Sequence, residues 1–150
     1  MTKVSTFLWF ESKADEAARL YCSILPDAKI MSSSQMSTSF AIGDQRYVAF
    51  NGGPHYKLSP SVSIVVTCAG QAEVDALWDQ FLTSGGSEAR CGWLVDTFGL
   101  SWQILPKQLM ELMGDEDPVV AKRVIAAMMK MRKIDVAALE AAHRGQSSLA

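Results

Sequence analysis

The feature that most constrains this chain is a repeated order of elements. Thr6 to Phe10 is aromatic and β-branched and reads as a strand. Ser12-Lys13-Ala14-Asp15 then reads as a helix start, a Ser cap with an acid three residues on. Ala17, Leu20, Tyr21 and Ile24 fall on one helical face, and Pro26-Asp27 ends the helix. Three strand-like pieces follow, at 28–34, 37–42 and 46–51. After the break Asn51-Gly52-Gly53-Pro54 the order restarts. A Val- and Ile-rich strand over 61–68 precedes a helix over 71–83. Val74, Leu77, Trp78, Phe81 and Leu82 form the apolar stripe of that helix, and Gly85-Gly86 closes it. A short piece at 88–91 and strands at 93–97 and 101–105 complete the second copy. Each copy spans about 50 residues, near the upper end of periods that mark internal repeats.

The remainder departs from the repeat. Residues 107–113 read as helical. Asp117-Pro118 supplies a cap followed by Pro at the first helical position, and Val120, Val124, Met128 and Met131 make one stripe of the helix after it. Asp135 caps a last helix through His143, stopped by Gly145, and Gln146 to Ala150 read as a frayed end. The expected organisation is one domain of 150 residues: module one over 1–55, module two over 60–106 and a helical tail over 107–150.

Composition narrows the function classes. Hydrophobic residues make up 49% and charged residues 20%, enough for a sizeable core and contrary to a disordered chain. The longest apolar runs are a few residues, so no bilayer span is expected. The N-terminal apolar stretch stops at Glu11, too early for a secretory signal, which gives a cytoplasmic expectation. Net charge is −2, with 7 basic and 10 acidic residues through Pro106 and 7 and 6 after it. Neither part offers the basic face that nucleic acid requires. Lys130, Arg132 and Lys133 read as the solvated face and last turn of a helix. Cys22, Cys68 and Cys91 are odd in number and lack CxxC spacing, against a disulfide framework or a zinc site. No motif ties His55 or His143 to a cysteine, so no thiol nucleophile is expected.

Several segments carry a family likeness: Phe7-Leu8-Trp9-Phe10, Ala17-Ala18-Arg19-Leu20-Tyr21, Asn51-Gly52-Gly53-Pro54-His55, Cys91-Gly92-Trp93-Leu94, the run from Asp96 to Ile104, and Met131-Arg132-Lys133-Ile134-Asp135. With the paired modules, they resemble the vicinal oxygen chelate superfamily, the glyoxalase and bleomycin-resistance fold. Within it they resemble the PhnB-like branch often labelled 3-demethylubiquinone-9 3-methyltransferase-like. The resemblance implies an α+β fold: two βαβββ modules form curled mixed sheets around a cavity, plus C-terminal helices, and the protein is a homodimer. It does not imply a reaction, since the fold hosts many.

Metal-using relatives draw ligands, typically His and Glu, from the first and last strands of each module. The comparable places here offer Thr6, then Ala49 and Asn51, then Ser61 and Ser63, and finally Gln103. Neutral amide and hydroxyl oxygens compensate none of a divalent ion's charge, so no metal and no cofactor is expected. His55 would be a lone imidazole.

What remains is a polar and aromatic set for an unknown small molecule: Trp9, Asn51, His55, Trp93 and Gln103. Each has a plain rival reading: core packing for Trp9 and Trp93, a turn for Asn51, an exposed loop for His55. Trp102 alternates with Gln103 and goes to packing. Asp96 is read as fixing the turn at Phe98-Gly99. The methionines of the tail are read as adaptable packing.

Four functions compete: a metal-independent small-molecule binder, a lyase, isomerase or dioxygenase with a non-standard metal site, a methyltransferase, and an interaction protein working through its tail. A methyl donor usually needs a Gly-rich turn between strand and helix. Gly52-Gly53 runs into Pro54 and Gly85-Gly86 follows a helix, so the methyltransferase reading is disfavoured. Catalytic residues, if any, stay unassigned.

Overall fold

The structure, a computed structural model, describes residues 1–146. The fraying expected of the C-terminal end falls, beyond Gln146, outside the described residues. Two compact units are present. The first is Met1–Val62 with Phe98–Leu100; the second is Ser63–Thr97 with the chain from Ser101 onward.

The first unit holds β1 (Thr6–Phe10), α1 (Ala14–Ile24), β2 (Ala28–Ser33), β3 (Ser37–Ile42) and β4 (Gln45–Asn51). The strands lie in the order β1-β4-β3-β2, with β1 parallel to β4 and the other pairs antiparallel. The register places Leu8 beside Ala49 and Tyr47 beside Phe40, on one face. That face meets α1, which buries Ala14, Ala17, Ala18, Tyr21 and Ile24. Small residues let helix and sheet approach, and rings fill the space: Tyr21 lies 5.8 Å from Phe40, which stacks on Tyr47 at 5.0 Å. Burying each such ring contributes about 1.5–3 kcal/mol. Leu20, expected in the stripe, is only half-buried, and Ala18 is buried instead.

Asp15 ties the helix to the sheet. Its carboxylate accepts from Arg19 Nε at 2.6 Å, Ser33 Oγ at 2.8 Å and the buried Thr38 Oγ1 at 2.8 Å. These donors, Arg19 first, hold its pKa at about 2.

The second unit repeats the design with β5 (Ser63–Cys68), α2 (Gln71–Thr83), β6 (Ser87–Glu88), β7 (Trp93–Val95) and β8 (Ser101–Pro106). Its order, β5-β8-β7-β6, is the same permutation, again with the first and last strands parallel. The repeat read in the sequence is therefore a repeat of topology. Val74, Leu77, Trp78 and Phe81 of α2 are buried, and Phe81 meets Trp102 at 4.9 Å. The Trp102 indole donates to Asp96 Oδ2 at 2.9 Å, so the Asp96 carboxylate holds a core ring in place. Cys68 is buried as expected, and desolvation, then Glu73, pushes its thiol up to about 11. Cys22 is only half-buried.

The tail packs within this second unit as α3 (Lys107–Met113), α4 (Pro118–Met128) and α5 (Val136–His143). Asp117 Oδ1 accepts from Val119 N and Asp135 Oδ1 from Ala138 N, the two caps read from the sequence. Leu109, Val124, Ile134 and Leu139 form a small core, with Met113, Met128 and Met131 packed against it. Backbone bonds join two of the motif segments: Cys91 N donates to Met131 O and Gly92 N to Arg132 O. Gln71 adds a clamp, donating to Ile134 O and accepting from Val136 N. Lys130, Arg132 and Lys133 lie beyond the end of α4 and not in its last turn; Lys133 pairs with Asp75 at 2.9 Å. Among the described residues no helix is long and apolar enough to cross a membrane.

Candidate functional site

One face of the first sheet packs on α1. Strand alternation turns Phe7, Trp9, Val48 and Phe50 to the other. These residues make a row of rings. Phe7 lies 5.1 Å from Phe50, Phe50 lies 5.3 Å from Trp9, and Trp9 lies 5.0 Å from Tyr56, the last pair edge to face at 82°. Such tilted contacts suit the ring quadrupoles and hold the ring planes in place. Trp9 is fixed further: its Nε1 donates to Gly53 O at 2.9 Å, and the Gly52 backbone lies against its ring. Only glycine fits there, because a Cβ at Gly52 would fall inside the indole. The Gly-Gly-Pro break in the sequence thus exists to fold the loop onto Trp9.

Phe7 and Tyr56 stay 58% and 68% exposed, so the row presents aromatic surface outward instead of closing a core. At the Trp9 end it opens into a cavity of about 230 Å³, walled by Trp9, Tyr56, Leu58 and Phe98. Phe98 meets Phe10 edge to face at 6.4 Å. Glu11 and Lys57 are the charged groups at the cavity. Aromatic walls with few polar groups are the usual make-up of a small-molecule pocket.

The expected site residues separate on this frame. Trp9 is in the row. His55 is exposed on the loop and does not line the cavity. Asn51 pairs in register with Phe10, so it lies on the α1 face, opposite Trp9. Its Oδ1 accepts from Ala14 N at 2.8 Å and its Nδ2 donates to Gln35 O at 3.1 Å. Asn51 therefore caps α1 from a strand, and the Ser12 cap does not form. The sequence reading took Asn51 for a cavity or turn residue because local spacing cannot show a cap 37 residues away.

Trp93 and Gln103 lie in the second unit, paired across β7 and β8 on the face turned away from Trp102. Gln103 Nε2 donates to Ser63 Oγ at 2.9 Å. Ser101 Oγ, on the same face, is buried with no partner among the described residues. Phe7, Phe50 and Tyr56 were missed. Phe7 could have been found by stepping two residues back from Trp9. Phe50 needed the parallel register of β1 on β4.

The donor set does not fit a divalent metal. Asn51 faces α1, Phe7, Val48 and Phe50 on the open face are hydrocarbon, the Trp9 nitrogen is an N–H donor, and Gln103 offers a neutral amide oxygen that compensates none of an ion's charge. Among the described residues no three His, Cys, Asp or Glu side chains gather where they could hold an ion.

A protein-family model described as 3-demethylubiquinone-9 3-methyltransferase matches residues 2–105. No curated protein matches. Among solved structures, the PhnB protein of Bacillus cereus, which carries the same methyltransferase description, is 25% identical with a TM-score of 0.62, covering 70% of this chain and 99% of its own. The fosfomycin resistance protein FosX of Mesorhizobium loti shares the fold at 17% identity and TM-score 0.56, covering 74% and 97%. A glyoxalase/bleomycin resistance protein of Albidiferax ferrireducens does so at 11% and 0.54, covering 70% and 98%. With the family match spanning residues 2–105 and the repeated sheets in place, the chain belongs to the 3-demethylubiquinone-9 3-methyltransferase family and shares the fold of the glyoxalase and bleomycin-resistance proteins.

Proposed function

We propose that this protein is a homodimeric, cytoplasmic small-molecule-binding protein that works without a metal, and that its ligand is a compact molecule with a planar apolar part. One observation carries the reading: the row Phe7–Phe50–Trp9–Tyr56 is fixed by ring contacts and by the Trp9–Gly53 bond, yet is left facing outward beside a cavity. Rings held in place lose little entropy on binding. Within the second unit, Trp93 and Gln103 share one face with Ser63 and the buried Ser101 hydroxyl beside them, and we count this as a separate candidate ligand-binding face. Methyl transfer is not part of the proposal. The loop after β4 turns onto an indole and does not open a helix N-terminus, where a methyl donor would need its Gly-rich turn.

The test is an NMR titration with 1-naphthol, an uncharged bicyclic ring, following the four indole N–H signals. The expected result is a saturable shift of the Trp9 indole and of residues 53–58, lost in Tyr56→Ala and Trp9→Leu. Shifts confined to residues outside this row, or none, would overturn the proposal.

A further inference from the structure

We propose that the groove between α4 and α5 is a second binding site, for a small anionic amphiphile: a carboxylate, sulfate or phosphate head on an apolar body. The match to the family model covers residues 2–105, so this groove lies outside the matched residues. It encloses about 740 Å³, within the range of small-molecule sites. Its floor is Ala127, Ala138 and Ala142 with the Met131 side chain. Methyl groups leave the space open, and a thioether adapts to whatever fills it.

The head-group end is built. Arg123 Nε donates to Ala142 O at 2.9 Å and Nη2 to His143 O at 2.8 Å. These bonds satisfy the last carbonyls of α5 and immobilise the guanidinium. They use two of its five N–H donors, leaving a fixed fork suited to an oxyanion. Gly145, with φ of +79°, turns the chain beside the guanidinium, where a Cβ would make ordinary contact at 3.6 Å. Lys130, exposed, adds a second cation to the rim. Lys133 is paired with Asp75, and Asp135, the carboxylate of the lining, is engaged as the α5 cap. The lining thus carries three cations, Arg123, Lys130 and Lys133, against the one carboxylate of Asp135, beside an apolar floor, with Asp115 near enough to Arg123 to feel its charge.

The test uses the full chain with labelled Ala and Met methyls, titrated with decanoate below its micellar concentration, and in parallel with decanol and decyltrimethylammonium. Decanoate should shift the Met131, Ala138 and Ala142 methyls saturably. Affinity should fall by about threefold to tenfold in Lys130→Glu and on adding salt. Ala126→Trp, at an exposed position on the rim, should block binding. Neither variant touches a bond that holds α5, so a folded protein is expected in both. Equal shifts with decanol or with the cation would overturn the proposal, as would unchanged affinity in Lys130→Glu or shifts at the Trp9 indole in place of the groove. Binding seen only after deletion of residues 147–150 would also overturn it, by showing that the chain's own end covers the groove. The naphthol site in the first unit is read by different signals, so the two proposals fail separately.

Discussion

Asn51 Oδ1 accepts the amide proton of Ala14 at 2.8 Å, so the last residue of β4 caps the first helix of the chain. Ala14 is fully buried, and its N–H has no access to water once that partner is gone. Asn51→Ala should therefore destabilise the protein by about 1–2 kcal/mol, measured by urea denaturation, while Asn51→Asp should recover most of the loss. An unchanged midpoint in Asn51→Ala would mean the cap contributes nothing.

The same residue bears on metal binding. Asn51→His combined with Gln103→Glu would supply an imidazole and a carboxylate, yet should create no affinity for zinc, nickel or manganese. The side chain at 51 lies on the α1 face of its sheet, away from Phe7 and Trp9. Isothermal titration of the double variant checks this; submicromolar binding would show that the assignment of faces is wrong.

Gly52→Ala should cost about 1–3 kcal/mol through overpacking, because its Cβ would fall inside the Trp9 ring. The indole would have to rotate, breaking its bond to Gly53 O. Loss of the hydrogen-bonded Trp9 N–H signal, together with lost naphthol binding, is the expected outcome. Ala at Gly53 offers a contrast: the space there is open and the strain would come from its φ of +83°.

Asp15 gives a pH dependence with a definite sign. Its folded pKa of about 2 lies below the ordinary carboxylate range. The stabilisation is thus fully present above about pH 4, and is lost as pH falls toward about 2. Asp15→Asn should be less stable at neutral pH and should show a flatter acid limb. A carboxyl titration of Asp15 by NMR with a midpoint near 4 would contradict the three-donor arrangement.

Much of this architecture was legible because it rests on short-range pattern. The α2 stripe, the Asp117 and Asp135 caps and the doubled strand order all follow from spacing of a few residues. What escaped was set by distant partners. The α1 cap comes from Asn51 and not from the adjacent Ser12; Lys133 finds Asp75 across 58 residues of sequence and not a helix terminus. The candidate site divides the same way. Trp9 stood out by residue type, whereas Phe50 joins it only through the β1–β4 register.

On the proposed function, ligand is held by ring faces and not by a coordinated ion. The most direct measurement is elemental analysis of the dialysed protein, paired with the naphthol titration before and after chelator. Metal well below one equivalent, and an unchanged Trp9 shift with chelator present, are expected. Near-stoichiometric zinc, nickel, manganese or iron, with naphthol binding abolished by the chelator, would contradict the proposed function.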